Sequence, residues 1–273
     1  MAERPIAWPR WIAKKAARAG VAAMTALPAL ISEGRPRLRV LTYHRFGPSR
    51  RSPFCVSADS FERQMSRLAD SGKAVTLGQA KAFAQGRLDL PDGSVLVTID
   101  DGDPSVVSAA APILKACGVP AVLFTVAGRP DGFAVMPDAD LRALAEQGIE
   151  IGSHSMTHRS MARLPRAEAL REARESRERL EQVLGRAVAA FAYPFGTRAD
   201  FSGDTGEVLR EAGYDIAFTS QHGAVTPELD PLALPRVKVE SGDPDWLFPL
   251  LTRGAMDAWR LVDEAAYGLQ KPA

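Results

Sequence analysis

The stretch Val97-Thr98-Ile99-Asp100-Asp101-Gly102 narrows the folds open to this chain more than any other, because a run of β-formers stops at two adjacent carboxylates and a glycine. A strand that ends in this way delivers acids to the rim of a sheet. Taken alone, adjacent aspartates before glycine serve equally well as turn or helix-capping residues. A second segment changes that balance. Ile149-Glu150-Ile151-Gly152-Ser153-His154-Ser155-Met156-Thr157-His158 places two of the chain's four histidines just past another short apolar run. Together the segments read as a metal site with a neighbouring base.

Two imidazoles and one carboxylate leave positions open on a zinc-like ion, where a bound water reaches a pKa of about 7. A catalytic site is implied rather than a structural one, since Cys55 and Cys117 stand apart and form no Cys-x-x-Cys pair. Nor is this a helical His-Glu-x-x-His site, because Ser155 occupies the place of the glutamate. The base must come from elsewhere, and Asp100 supplies it.

Strand-like runs alternate with helical ones along the chain, which favours an α/β fold with a parallel sheet and crossover helices. Strands are predicted at 40–43, 74–76, 95–99, 121–126, 150–151, 189–193, 216–219 and 237–239. Helices are predicted at 57–71, 104–117 and 137–147, each stopping before a glycine, and at 166–184. In that last helix the apolar positions run along one side, and the acids and bases read as a solvated face. Active-site residues at strand C-terminal ends are what a (β/α) barrel requires.

These residues carry a resemblance. Thr98-Ile99-Asp100-Asp101-Gly102, His154-Ser155-Met156-Thr157-His158 and Phe191-Ala192-Tyr193-Pro194-Phe195-Gly196 resemble, in order and spacing, three motifs of the polysaccharide deacetylases, the NodB-homology enzymes of carbohydrate esterase family 4. The likeness spans roughly residues 38 to 240 and implies a distorted (β/α)7 barrel. It implies that Asp101, His154 and His158 hold a divalent metal, most often zinc, and that Asp100 is the general base. The group attacked would be an N-acetyl carbonyl, with the backbone N–H of Phe195 facing the oxyanion.

Two departures accompany the resemblance. Many members carry an arginine two residues before the proline of the third motif, where it pairs with the base; here that residue is Ala192. Arg236, in Leu234-Pro235-Arg236-Val237, is the candidate replacement, against the alternative of a salt bridge on a strand edge. Many members also take their general acid from a late Leu-x-His motif, absent here. The branch with Phe-Ala-Tyr-Pro resembles this chain in having an early Tyr-His pair, Tyr43-His44, which makes His44 the expected acid. His222 has no matching motif and reads as a loop residue. Asp101 and Asp103 form an Asp-x-Asp string that would suit a glycosyltransferase, but that reading leaves His154 and His158 unexplained.

With 273 residues, 46% hydrophobic and 25% charged, the chain is long enough to bury one sizeable core. A net charge of +1 gives no general reason to expect nucleic acid as a partner. A disulfide between Cys55 and Cys117 stays open at this stage.

Three segments are expected: a basic amphipathic helix in 1–36, the barrel in 37–242, and a helical extension in 243–273 that serves as a cover or a partner surface. Residues 8–31 begin with two tryptophans among bases and continue into an apolar stretch too short to span a bilayer. They suit a helix on an anionic membrane surface or one against the barrel. A long charged leader without a small-x-small cleavage site disfavours a signal peptide, so the cytoplasm or the inner membrane face is the expected location.

The expected function is metal-dependent removal of N-acetyl groups from an amino sugar in a polysaccharide or glycolipid. The alternatives are a catalytically silent carbohydrate-binding barrel, which Ala192 favours, and a hydrolase of a non-sugar amide or an O-acetyl ester.

Overall fold

The computed structural model describes residues 5–31, 37–48, 51–130 and 134–267. Nine strands and nine α-helices follow in chain order among them. A helix α1 (Trp8–Ile31) precedes β1 (Leu38–Tyr43) and a small parallel pair, β2 (Arg45–Phe46) and β3 (Cys55–Val56). Helices α2 (Ala58–Ser71) and α3 (Leu77–Ala84) lead to β4 (Ser94–Ile99), α4 (Ala111–Cys117) and β5 (Ala121–Thr125). The repeat continues through α5 (Asp138–Glu146), β6 (Glu150–Ser153), α6 (Arg166–Leu184), β7 (Ala190–Ala192), α7 (Gly203–Glu211) and β8 (Ile216–Phe218). It ends in β9 (Val237–Lys238), α8 (Phe248–Leu251) and α9 (Trp259–Tyr267).

Seven strands form one parallel sheet in the order β8-β7-β6-β5-β4-β1-β9. One segment touches both of its edges. Leu234 exchanges backbone hydrogen bonds with Ala217 and Thr219 of the β8 end, at 2.9 and 2.8 Å, and Val237 and Lys238 pair with Leu41 and Thr42 of β1. The sheet therefore curls round as the expected (β/α)7 barrel.

Side-chain alternation separates its two faces. Leu38, Val40, Leu96, Val122, Phe124, Ala190, Ala192, Ile216 and Phe218 share one buried cluster, floored by Ala80 and Phe83 of α3. The intervening residues, among them Leu41, Val97, Leu123, Phe191 and Ala217, pack outward against the helices. Phe124 and Phe218 meet inside with ring centroids 5.6 Å apart, and truncating either to alanine costs about 3–5 kcal/mol. Gly152 is required opposite them, since a Cβ there would lie 2.5 Å from the Phe124 ring.

Predicted and observed strands agree at seven places, with ends shifted by a residue or two, and differ at 74–76. There a single bridge joins Ala74 to Val95, and Thr76 caps α3 instead, its hydroxyl accepting from Gln79 N while the Gln79 side chain accepts from Thr76 N. Local side-chain capping outcompetes the β-propensity of a three-residue run. The predicted helix 104–117 is a π-turn at Val106–Ala110 followed by α4. Helices α3 and α7 were not anticipated, although both begin with capping boxes, at Thr76 and Ser202. No disulfide joins Cys55 and Cys117.

At the start of the chain, α1 lies against the barrel through its bases. Arg18, wholly buried, donates to Asp243 at 2.8 and 3.1 Å, to Glu240 at 3.3 Å and to the Lys238 carbonyl at 2.9 Å. Lys14 and Lys15 reach Glu240 at 2.9 and 3.1 Å. Among the described residues, no helix is long and apolar enough to cross a membrane.

Candidate metal centre

The inner parity of the barrel walls carries straight into the chemistry at their C-terminal ends. Along β1 the inward positions 38, 40 and 42 continue to His44, and along β4 the positions 96 and 98 continue to Asp100. Asp100 N donates to the Tyr43 carbonyl at 2.9 Å, which sets His44 and Asp100 side by side just beyond the ladder. Gly152, in register with the inward Phe124, is followed two residues later by His154, whose N–H donates to the Thr125 carbonyl at 2.8 Å. Arg236 precedes Val237, the outward partner of Leu41, and so points inward as well.

The remaining residues depend on strained backbone. Five described non-glycine residues have positive φ, and four of them, Asp101 (75°), Ser155 (68°), His158 (59°) and Phe195 (60°), lie in the three motifs. At Asp101 the left-handed turn brings back inward a side chain that strand parity would send outward. Gly102 follows at φ 79°, where a Cβ would lie 2.4 Å from Thr125 Oγ1. At His158 the backbone N–H donates to Ser155 Oγ at 2.9 Å, folding the four-residue segment into a hook.

Asp101, His154 and His158 come together as a result. Asp101 Oδ1 lies 3.6 Å from His154 Nε2 and 3.5 Å from His158 Nε2, and one ligand atom from each residue falls within 4.8 Å of the others. The two Asp101–histidine separations are close to the spacing of about 3.3 Å expected between ligands on one tetrahedral zinc. The donor set, two imidazole nitrogens and a carboxylate, fits a divalent ion.

Electrostatics agree. Burial holds His154 neutral, with its pKa down at about 4, and its Nδ1 sits 2.7 Å from the Ala192 carbonyl, which fixes the tautomer and leaves Nε2 toward the cluster. Burial would raise the Asp101 carboxyl, but His158, through a side-chain hydrogen bond, and then His44 outweigh it and hold the group well below the usual range.

Asp100 stands apart from the three ligand candidates. Arg236 Nη1 and Nη2 donate to its two oxygens at 2.8 and 2.7 Å, while Arg236 Nε donates to the Thr219 carbonyl at 2.7 Å. Burial pushes the Asp100 carboxyl up, and Arg236 brings it below its ordinary value, so the group stays ionised. Arg236, on the segment just before β9, thus gives Asp100 the charged partner that Ala192 of β7 cannot.

His44 is partly exposed, with its ring edge-on to Phe54 at 4.7 Å. Burial lowers its pKa against the pull of Asp101 and Asp100. The Phe195 ring, 57% exposed, lies 4.8 Å from that of His158, and Gly196 N donates to the Pro194 carbonyl at 2.7 Å across Phe195 in a γ-turn. His222 does lie in a loop, but buried, its Nδ1 2.8 Å from Asp263 Oδ2 of α9.

Sequence reading missed the residues that hold these loops. Glu172 of α6 accepts from the backbone N–H of Met156 at 3.0 Å and of Thr157 at 2.8 Å, between the two histidines. It is buried, which corrects the reading of that helix's acids as a solvated face. A signal was present: Ala169, Glu172, Ser176, Leu180 and Val183 follow helical spacing on the buried side. Asp200 likewise ties the loop after His158 to the one after Phe195, accepting from Ser160 Oγ at 2.6 Å and Thr197 N at 3.1 Å.

The family model described as polysaccharide deacetylase matches residues 87–217. IcaB of Ammonifex degensii superposes with a TM-score of 0.69 at 30% identity, over 81% of this chain and 97% of that one. The deacetylase PplD of Streptococcus pyogenes shares the fold, with a TM-score of 0.72 at 19% identity over 80% of this chain and 99% of that one. By sequence, the chain is 24% identical over 201 residues to a poly-beta-1,6-N-acetyl-D-glucosamine N-deacetylase of Staphylococcus aureus, covering 68% of each. Likeness to IcaB at that identity over nearly its whole length, with the matched family model and the same barrel, makes this chain a member of the polysaccharide deacetylase family.

Proposed function

We propose that this protein is a metal-dependent N-deacetylase of an acetylated amino-sugar polymer, with Asp101, His154 and His158 holding the ion. The observation that carries the reading is the juxtaposition of that cluster with the separately paired Asp100 and Arg236. Bound there, a divalent ion such as zinc would acidify a water and polarise the carbonyl under attack. The names of relatives that act on poly-beta-1,6-N-acetyl-D-glucosamine support this substrate class.

Asp100 accepts the proton of the attacking water. Arg236 keeps it ionised and aims it, leaving the carboxylate little freedom to rotate. The Phe195 N–H, presented by the γ-turn, donates to the oxyanion that develops on the former carbonyl oxygen. His44 protonates the departing amine. The carbon–nitrogen bond then breaks; one hydrogen of the water has gone to Asp100 and the other stays on the new carboxyl group until it passes to the amine, giving acetate and an ammonium sugar. The proton on Asp100 returns to His44 and restores both groups. A silent barrel is disfavoured, because the positive partner that Ala192 lacks is supplied by Arg236.

The reading is tested by measuring bound zinc and acetate release from β-1,6-linked N-acetylglucosamine oligomers. Wild type should carry about one ion per chain. Asp100→Asn should retain the ion and lose turnover, whereas His154→Ala should lose both. Full activity in either variant would sink the mechanism.

A further inference from the structure

Helix α1 is turned the opposite way from an ordinary surface helix. Its bases Lys14, Lys15 and Arg18 face the barrel, held by Glu240 and Asp243, and Trp11 lies beneath them against Gly242. Between residues 8 and 25 every exposed position is apolar or glycine except Arg10. Trp8 and Ile12 are each 59% exposed and Met24 81%. A surface helix normally gives its charges to water and its apolar stripe to the core. A contiguous apolar face directed outward marks an interaction surface.

We infer that this outward face docks the protein onto a lipid bilayer bearing anionic headgroups. Charge complementarity favours that occupant. The helix contains no acidic residue, and Trp8, an amphipathic ring suited to the headgroup boundary, stands with exposed Arg10 and with the Arg51 guanidinium 4.9 Å from its ring. Length favours it too. The sequence carries no charge from Ala19 to Ile31, an apolar continuation shorter than the roughly 20 residues needed to cross a membrane. The helix therefore lies in the plane of the interface rather than through it.

The placement also has a consequence for the candidate metal centre. Ile6 N donates to the Arg51 carbonyl at 3.1 Å, and Ser241 N donates to the Pro53 carbonyl at 3.2 Å. The first joins the residue before α1, and the second the Glu240–Asp243 segment that holds α1, to the loop that carries Phe54 against His44. Helix α1 thus sits at the end of the barrel where the strands deliver His44, Asp100 and His154, and docking would hold that end beside the bilayer.

The test is co-sedimentation of the full chain with vesicles of phosphatidylcholine alone and of phosphatidylcholine mixed with phosphatidylglycerol. Wild type should bind the mixed vesicles and lose affinity as salt rises. Ile12→Asp with Met24→Asp, at exposed positions, should weaken binding by about tenfold or more while circular dichroism is unchanged. Arg10→Glu should weaken binding to the mixed vesicles alone. Failure of wild type to bind either vesicle overturns the proposal. So does a concentration-dependent dimer that Ile12→Asp dissolves, for then a second copy covers the face.

Discussion

Arg236 and Asp100, 136 residues apart in the chain, meet through two parallel hydrogen bonds of 2.8 and 2.7 Å inside the barrel, with neither side chain more than 3% exposed. Thr98 and Thr219 complete the arrangement: Arg236 Nη1 lies 3.2 Å from Thr98 Oγ1, and Nε donates to the Thr219 carbonyl. A carboxylate held by both oxygens has one orientation, which suits a base aimed at a single water.

Replacing the fork tests that point. Arg236→Lys keeps the charge but loses the paired geometry, so kcat should fall at least about tenfold with zinc content unchanged. Arg236→Met leaves a buried carboxylate uncompensated and should lower stability by about 3–5 kcal/mol in denaturant titration. Wild-type kcat in the lysine variant would show that orientation of Asp100 is immaterial.

His44→Ala separates two kinds of substrate. Amides need the leaving nitrogen protonated, whereas activated aryl esters do not, so the variant should lose about a hundredfold or more on an N-acetyl sugar and much less on an acetyl ester. Equal losses on both would remove His44 from the role of acid.

Glu172→Ala leaves the N–H groups of Met156 and Thr157 without the carboxylate that holds the segment between the two histidines. Zinc affinity should drop by about 10- to 100-fold, read by competition with a chelating dye. Unaltered affinity would mean that the strained backbone at Ser155 and His158 holds the hook unaided.

Stability in acid should depend on Glu240. Burial alone would raise this carboxyl, yet Arg18, Lys14 and Lys15 bring its pKa from 4.5 down to about 2. A depressed folded pKa contributes stability that is present above the unfolded value and is lost as pH falls through the folded one. Between pH 4.5 and about 2 the wild type should therefore lose on the order of 3 kcal/mol that Glu240→Gln never had. Denaturant titrations across that window measure the difference, and parallel slopes for the two proteins would count against it.

Much of the site was legible because its chemistry sits at strand ends. The β-runs before Asp100, His44 and His154 announce strands, and a period of two sends each of these side chains to the same interior once the strands are parallel. Thr76 shows the limit of such reading: its β-forming neighbours suggest a strand, while its hydroxyl finds a closer partner in the first turn of α3. Glu172 shows another, since an acid in a highly charged helix looks solvated until the loop it serves is in place.

What the sequence determined by itself was the inventory: the seven strands of the main sheet and the acids and histidines that end them; the charge missing at Ala192 is read only from the resemblance. Tertiary structure decided the pairings. Arg236 reaches Asp100 only because one segment spans both edges of the curled sheet, a closure that no local pattern encodes. The bases of α1 suggest a face turned to solvent or headgroups, and they turn inward because Glu240 and Asp243 are held at the end of β9, where ion pairing compensates the burial of Arg18. Local propensity and periodicity act over a few residues, whereas these charges find one another only after the barrel has closed.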